Sequence, residues 1–425
     1  MAEKELSKGA LSTAAACVVG MMVSVVPFHI GTFPLFLQPV SQEFGWGRAE
    51  FATSLNISAI LAALAAPFVG RAVDRFGARR LLVPAIIIYG LATMAQSQLS
   101  HSKLQFYATY ALLGFSEAVA GPVAFSHLIS SWFHTRRGLA LSLVIGAAPA
   151  VSIMIMAPVT HMLIASHGWR TAYFVLGAII LVLGAPAVLF LLKEPPREGP
   201  KTAAGRAAAI AALPGKTFAQ VITTLTFWGI LAALVIHSLV VGGVRAHTVA
   251  LLTDRGLAIG VATLAVSVSA MAGLLGNITA GAMLDRIQTP KIALPFFLAA
   301  LAGLVLLHHA VGAPAAIAGA AILGFGIGAE SGIGPYFFSR YFGMRSFGTI
   351  YGCLVSLLAI SSGVGPMLLG VAFDRSGSYG RGLVIAEVGL GVGAVLVLLL
   401  GPYVFSARRA EAPPPAGALE AGAQP

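Results

Sequence analysis

Apolar residues run through this chain in long blocks separated by short polar turns. Twelve blocks can be laid out, at 12–38, 51–71, 81–100, 104–131, 139–165, 171–192, 223–251, 259–283, 291–310, 314–339, 347–372 and 382–405. A helix needs ~20 apolar residues to cross about 30 Å of hydrocarbon. The pattern predicts an all-α membrane protein with twelve transmembrane helices. Most connections are short, so neighbours in sequence pack as neighbours in space. The longest, 193–222, holds Pro195, Pro196, Pro200 and Pro214 with Lys193, Arg197, Lys201, Arg206 and Lys216. It reads as a solvated linker between an N-terminal six-helix half, 1–192, and a C-terminal six-helix half, 223–409. Residues 410–425 are rich in Pro, Ala and Gly and are expected to form a disordered tail.

Composition agrees with the bilayer as solvent. The 425 residues are 58% hydrophobic and 10% charged, with mean hydropathy +0.90. Soluble chains carry roughly a quarter charged residues. A net charge of +11 would suggest nucleic acid, but its distribution excludes that partner. With the N-terminus inside, the outer segments hold only Arg48, Lys103, Arg170, Arg255, Arg375 and Arg381 of the 26 Lys and Arg, and Arg245 lies within a span. All the others fall on the cytoplasmic side, as the positive-inside rule requires. Both termini are therefore expected to be cytoplasmic, in a bacterial inner membrane. The 11–37 stretch is too long for a signal-peptide core and reads as an uncleaved first span. Cys17 and Cys353 lie far apart in apolar stretches and offer neither metal spacing nor a disulfide framework.

Two turns repeat. Gly70-Arg71-Ala72-Val73-Asp74-Arg75-Phe76-Gly77-Ala78-Arg79-Arg80 joins spans 2 and 3, and Gly281-Ala282-Met283-Leu284-Asp285-Arg286 ends span 8, 211 residues later (70 to 281). Leu113-Gly114-Phe115 in span 4 returns as Leu323-Gly324-Phe325 in span 10 at nearly the same offset. Trp132-Phe133 with Arg136-Arg137-Gly138 closes span 4, and Tyr341-Phe342 with Arg345 closes span 10. A charged turn of this kind, once per half, resembles the loop between helices 2 and 3 of the major facilitator superfamily. That resemblance implies two parallel six-helix repeats with a substrate site near the midplane between them. It also implies a cytoplasmic gate built from Gly70, Asp74, Arg75, Gly77, Arg79, Arg80, Arg136, Arg137, Asp285 and Arg286.

Further segments resemble the bacterial monocarboxylate and oxalate/formate branch. These are Phe44-Gly45-Trp46-Gly47-Arg48, His247 with Leu251-Leu252-Thr253-Asp254-Arg255-Gly256, and Gly328-Ala329-Glu330. Ser339 to Gly343, Ile350-Tyr351-Gly352 and Phe373 to Tyr379 continue the likeness. One feature departs from it. Members that move small carboxylates commonly carry an arginine in span 8, and 261–284 here has no basic residue before its closing turn.

Ionisable side chains within a span are costly and therefore mark candidate sites, at about 2.5–3.5 kcal/mol or more each. Glu117 lies ~13 residues into span 4, near the midplane, and is the first candidate for proton coupling. Glu330 in span 10 is the second, and can also contact substrate. Glu387 lies near the outer end of span 12 and reads as structural, as does His127. Arg245, the one arginine inside a span, is a candidate anion anchor, with Gly242-Gly243 before it able to loosen the helix. His29 sits with Phe28, Thr32 and Phe33 between Pro27 and Pro34, a bent stretch expected to face a cavity. His237, His247 and Tyr336 complete the candidate substrate contacts.

Soluble-enzyme motifs fail. Gly215-Lys216-Thr217 mimics the end of a phosphate loop, but Ile210 stands where the upstream glycine must be. The Gly324-Phe325-Gly326-Ile327-Gly328 run lies inside an apolar span, where small residues serve close helix packing. No catalytic constellation, metal site or cofactor is indicated. The expected function is secondary active transport of a small, monocarboxylate-like organic anion with a proton, by a monomer that alternates access. The alternative is a proton-coupled multidrug or organic-cation antiporter, which the missing span 8 arginine favours. A transporter-like sensor would need a larger soluble output domain than the linker or the tail provides.

Overall fold

The computed structural model describes residues 7–133, 140–193, 214–287, 289–343 and 345–405. For some helical residues, among them Gly70, Asp74, Arg75, His127 and Asp285, it describes the backbone alone. Arg136, Arg137, most of the linker and the tail lie outside the described residues. Nearly everything described is helical, as the apolar blocks predict. Ten described segments are long and apolar enough to cross a membrane.

Ten segments accommodate twelve passes for two reasons. The 49-residue segment Leu143–Leu191 doubles back at Gly168, whose φ of 81° breaks the helix. Ser152 Oγ donates to Met22 O at 2.5 Å, while a Cβ on Gly184 would lie 2.8 Å from Val23. Positions equally far on either side of Gly168 thus return to the same level. The second reason is the Arg48–Phe76 helix, which is 29 residues long but falls outside the ten apolar segments.

Three predicted spans are interrupted. The first consists of the Lys8–Met22 helix, a π-helical turn over Val26–Ile30 and the Phe33–Phe44 helix. Pro27 in that turn has no N–H to donate, which loosens the helical ladder. The fourth is split into Lys103–Ala120 and Pro122–Trp132 by extended backbone at Gly121. The tenth is split at Ala329 into Ala313–Gly328 and Glu330–Phe342. The remaining helices of the C-terminal half are Leu225–Thr253, Ile259–Arg286, Leu294–His308, Phe347–Ser376 and Gly380–Leu398.

The internal repeat is visible in the packing. A Cβ on Gly114 would lie 2.2 Å from Ser58 O, and one on Gly324 would lie 2.2 Å from Ser269 O. Both members of the second pair follow the first by 210 or 211 positions, as do the repeated turns. Gly276 meets Phe325 O and Gly328 meets Gly273 O just as closely. Backbones approach because no side chain intervenes, which is how small residues join helices where lipid removes the hydrophobic drive.

Candidate functional site

A cavity of about 230 Å³ lies between the halves. The N-terminal half contributes Val26, Ile30 and Pro34, one stripe at i+4 spacing, and Ile145, Gly146, Pro149, Ala150 and Ile153. The C-terminal half contributes Arg245, Thr248, Ser269, Gly273, Asn277 and the Gly324–Gly328 region. Among the described residues, Arg245 is the one charged side chain in the lining, and no carboxylate is in it. Among the described residues, no ion pair closes on Arg245. Thr248 lies one turn on and donates to Val244 O at 2.8 Å, so its oxygen can still accept from a ligand.

Several predicted contacts face elsewhere. Phe28, His29, Thr32 and Phe33 are buried, and none lines the cavity. The cavity stripe passes through residues 26, 30 and 34. His29 packs at a tilt against Tyr110, ring centres 4.5 Å apart, inside the N-terminal half, and its Nε2 has no hydrogen-bond partner. Phe33 packs on Phe51. Thr32 donates to Phe28 O. The bend was legible in the prolines, but the side of the bend that faces the gap was not.

His237 and Glu330 meet across two helices of the C-terminal half, at 3.3 Å. His237 also packs at a tilt against Phe297. Glu330 opens its helix directly after the break at Ala329, next to the cavity residues Ile327 and Gly328. Glu117 is one turn before the break at Gly121, with Tyr89 beside it. Each half thus carries one glutamate at an interruption of its fourth span. Tyr336 lies beyond the cavity, under Arg340 at 5.0 Å and against Tyr403.

His247 belongs to a different structure, at the end of the bundle that carries Arg48. Arg48 forms a two-pronged pair with Asp254, at 2.6 and 3.0 Å. Its Nη1 also donates to the Tyr379 hydroxyl at 2.6 Å, and its guanidinium lies 3.7 Å over Phe373. Pro366 O, 2.9 Å from His247 Nε2, can only accept. Nε2 therefore carries the proton, and Nδ1 accepts from the Tyr379 hydroxyl at 2.8 Å. Asp374 accepts from Arg48 N and Ala49 N, at 3.0 and 2.9 Å. It caps a helix of the opposite half and meets the positive end of its dipole. A Cβ on Gly47 would lie 2.7 Å from Asp374 Oδ2, so a larger residue there would push the carboxylate off these N–H groups. Gln38 adds bonds to Asp254 and Thr253. This seam ties 38–49 to 253–254 and 373–379 across the halves. The charges of the three motif turns, Arg48 against Asp254 and Asp374, are the signal that could have found it.

At the opposite end, Gly77 takes φ 87°, which favours glycine. Arg79 Nη2 donates to Leu189 O at 2.5 Å. Arg80 and Arg286 are exposed. The side chains of Asp74, Arg75 and Asp285 lie outside the described residues, as do Gly70, beyond its backbone, and Arg136 and Arg137 entirely.

A sequence model of the Major Facilitator Superfamily matches residues 13–366. The chain belongs to the Major Facilitator Superfamily. Among superfamily relatives it is 27% identical over 173 residues to the uncharacterized MFS-type transporter YcxA of Bacillus subtilis, covering 40% of this chain and 42% of that one. It is 24% identical to the multidrug resistance protein MdtL of Klebsiella pneumoniae, over 49% of this chain and 54% of MdtL. These two matches span about half of each relative's length. The human Monocarboxylate transporter 11 is 30% identical over 337 residues, 76% of this chain and 69% of that protein. The fold matches the crystal structure of a bacterial homolog to the human lysosomal transporter Spinster, inward-facing and occupied, with TM-score 0.70. Identity there is 16%, over 92% of this chain and 97% of that one. The superfamily relatives and neighbours are transporters, not enzymes.

Proposed function

We propose that this protein is a secondary transporter for a small organic anion of the monocarboxylate type, coupled to protons, in a bacterial inner membrane. The carrying observation is the lining of the cavity between the halves. Among the described residues its one charge is Arg245, with no carboxylate to receive a cation. The cavity's 230 Å³ also falls below the roughly 300–1,000 Å³ of pockets that take drug-sized ligands. Both points favour a small anion over a multidrug cation. Arg245 in span 7 then takes the part that the span 8 arginine takes in the monocarboxylate and oxalate/formate branch.

The carboxylate of the substrate pairs with the Arg245 guanidinium, a planar fork matched to it. Thr248 and Asn277 supply further polar contacts, and the apolar wall of Val26, Ile30 and Ile153 receives the rest. Glu117 and Glu330 carry the proton, each beside a broken helix whose freed backbone groups can rearrange. The seam around Arg48 closes the cavity toward the outside. Asp74, Arg75, Gly77, Arg79, Arg80, Arg136, Arg137, Asp285 and Arg286 form the gate at the cytoplasmic end. Closing each seam in turn exposes the cavity to one side at a time.

The test is a binding measurement on the purified protein, setting small monocarboxylates against lipophilic cations in a thermal-shift titration. Stabilisation by the acids and not the cations supports the reading. Stabilisation by the cations alone replaces it with the antiporter. Orientation is tested separately, with an impermeant maleimide on Lys103→Cys in intact cells. Labelling from outside supports cytoplasmic termini, and protection until lysis overturns them.

A further inference from the structure

We propose that His308, His309 and Glu387 form a binding site for a divalent transition-metal ion of the zinc type. The site lies outside the cavity, at the end of the bundle that carries the Arg48 seam. His308 closes the Leu294–His308 helix and Glu387 lies in the Gly380–Leu398 helix. His308 Nδ1 and Glu387 Oε1 are 2.7 Å apart. One donor atom from each of the three residues lies within 4.8 Å of the other two.

Local backbone brings the third donor in. Consecutive helical residues point about 100° apart, so two adjacent histidines inside a helix cannot share an ion. His309 is not inside one. It is the C-cap, at φ −105° and ψ 13°, with its N–H on Val305 O. The last turn thereby lays the two imidazoles over each other, 4.4 Å apart and 20° from parallel.

The donor set matches the chemistry. Two imidazoles and a carboxylate are the ligands of open zinc sites, which keep a water in the fourth position. His308 and Glu387 are partly buried while His309 is exposed, so solvent reaches that position. Ligands at about 2.0–2.2 Å around tetrahedral zinc stand ~3.4 Å apart. The His308–Glu387 pair has to open slightly and the exposed His309 ring to close. The helix C-terminus contributes a favourable dipole for a cation. The opposing charge is Arg255, which donates to Leu307 O, one residue before the site. All three ligands belong to the C-terminal half. An ion there pins two helices of one half together and leaves the seam between the halves free to open.

The test is a zinc titration of the full chain, purified in detergent without a polyhistidine tag, in competition with a fluorescent chelator. One Zn²⁺ per chain is expected, with affinity falling as pH falls, since the ligands must be deprotonated. Glu387→Gln keeps the shape and a hydrogen bond but not the ligand charge. His309→Ala leaves the His308–Glu387 pair in place. Each should weaken zinc at least as much as loss of a supporting partner does, about 10–100-fold. Cobalt in place of zinc should show visible absorption that both variants lose. Size-exclusion profiles matching the parent show that the variants fold, and His309→Ala, altering an exposed side chain, keeps the test open if Glu387→Gln does not. Zinc bound with equal affinity by the folded variants, or no zinc bound by the parent, overturns the proposal.

Discussion

The Arg48 seam and the cavity a few turns away are made of similar material and treat charge in opposite ways. In the seam, Arg48 meets Asp254, Tyr379 and the ring of Phe373, and Asp374 meets two backbone N–H groups. In the cavity, Arg245 closes no ion pair with a described residue. A guanidinium without an ion pair in such surroundings is expensive, and protein groups could have paired it, as they do Arg48. On the proposed reading, a site that accepts and releases an anion has to leave that charge free for it. A seam that must close repeatedly has to satisfy its charges from both halves, so that opening has a definite but payable cost.

The largest effect is expected at Arg245. Arg245→Gln keeps hydrogen-bonding capacity and removes the charge. Removing one partner of a buried charged contact costs about 2–5 kcal/mol, roughly 30- to 4,000-fold in Kd. A calorimetric titration with a small monocarboxylate should read that loss with the fold intact. Unchanged affinity would break the comparison, because the cavity's charge would then have no role.

Glu117→Gln mimics the protonated carboxyl. It should preserve substrate binding and exchange in proteoliposomes while removing the pH dependence of uptake. A pH profile that survives the substitution transfers the proton role to Glu330.

At the seam the expected effect is smaller and of another kind. Arg48→Ala removes a charge-assisted pair worth about 1.5–3 kcal/mol, and should shift the conformational equilibrium without weakening intrinsic binding. Ala270→Cys, in the cavity lining, should react faster with an impermeant reagent added from outside when Arg48 is absent. No change in that rate would show that the seam does not hold this end closed. Tyr379→Phe deletes only the hydroxyl between Arg48 and His247 and should give the same shift in weaker form, about 1 kcal/mol.

The smallest effect belongs to Lys103. Its pair with Glu50, at 2.5 Å, joins side chains that are 46% and 42% exposed. Lys103→Ala should change thermal stability by no more than about 0.2–1 kcal/mol. A larger loss would mean that short distance, and not burial and coverage by both halves, distinguishes the Arg48 seam.

The sequence carried a large part of this. Apolar blocks of spanning length, the doubled Gly70 and Gly281 turns and the Leu-Gly-Phe repeat determine helices, halves and superfamily, because burial in lipid leaves a chain few alternatives to helix. The glycine run at 324–328 was readable as close packing, and Arg245 as the one arginine inside a span. Facing was not readable. His29 and Ile30 are adjacent, yet one packs on Tyr110 and the other lines the cavity. In the Leu225–Thr253 helix, His237 pairs with Glu330 inside one half, Arg245 faces the gap and His247 supports the Arg48 seam. A span surrounded by apolar partners on every side has no amphipathic stripe to mark its functional face. Which side chain meets the substrate, which meets a proton partner and which meets the opposite half was decided by the rotation of each helix against its neighbours. That rotation is set by contacts such as Gly114 on Ser58 and Gly324 on Ser269, which only the assembled bundle brings together.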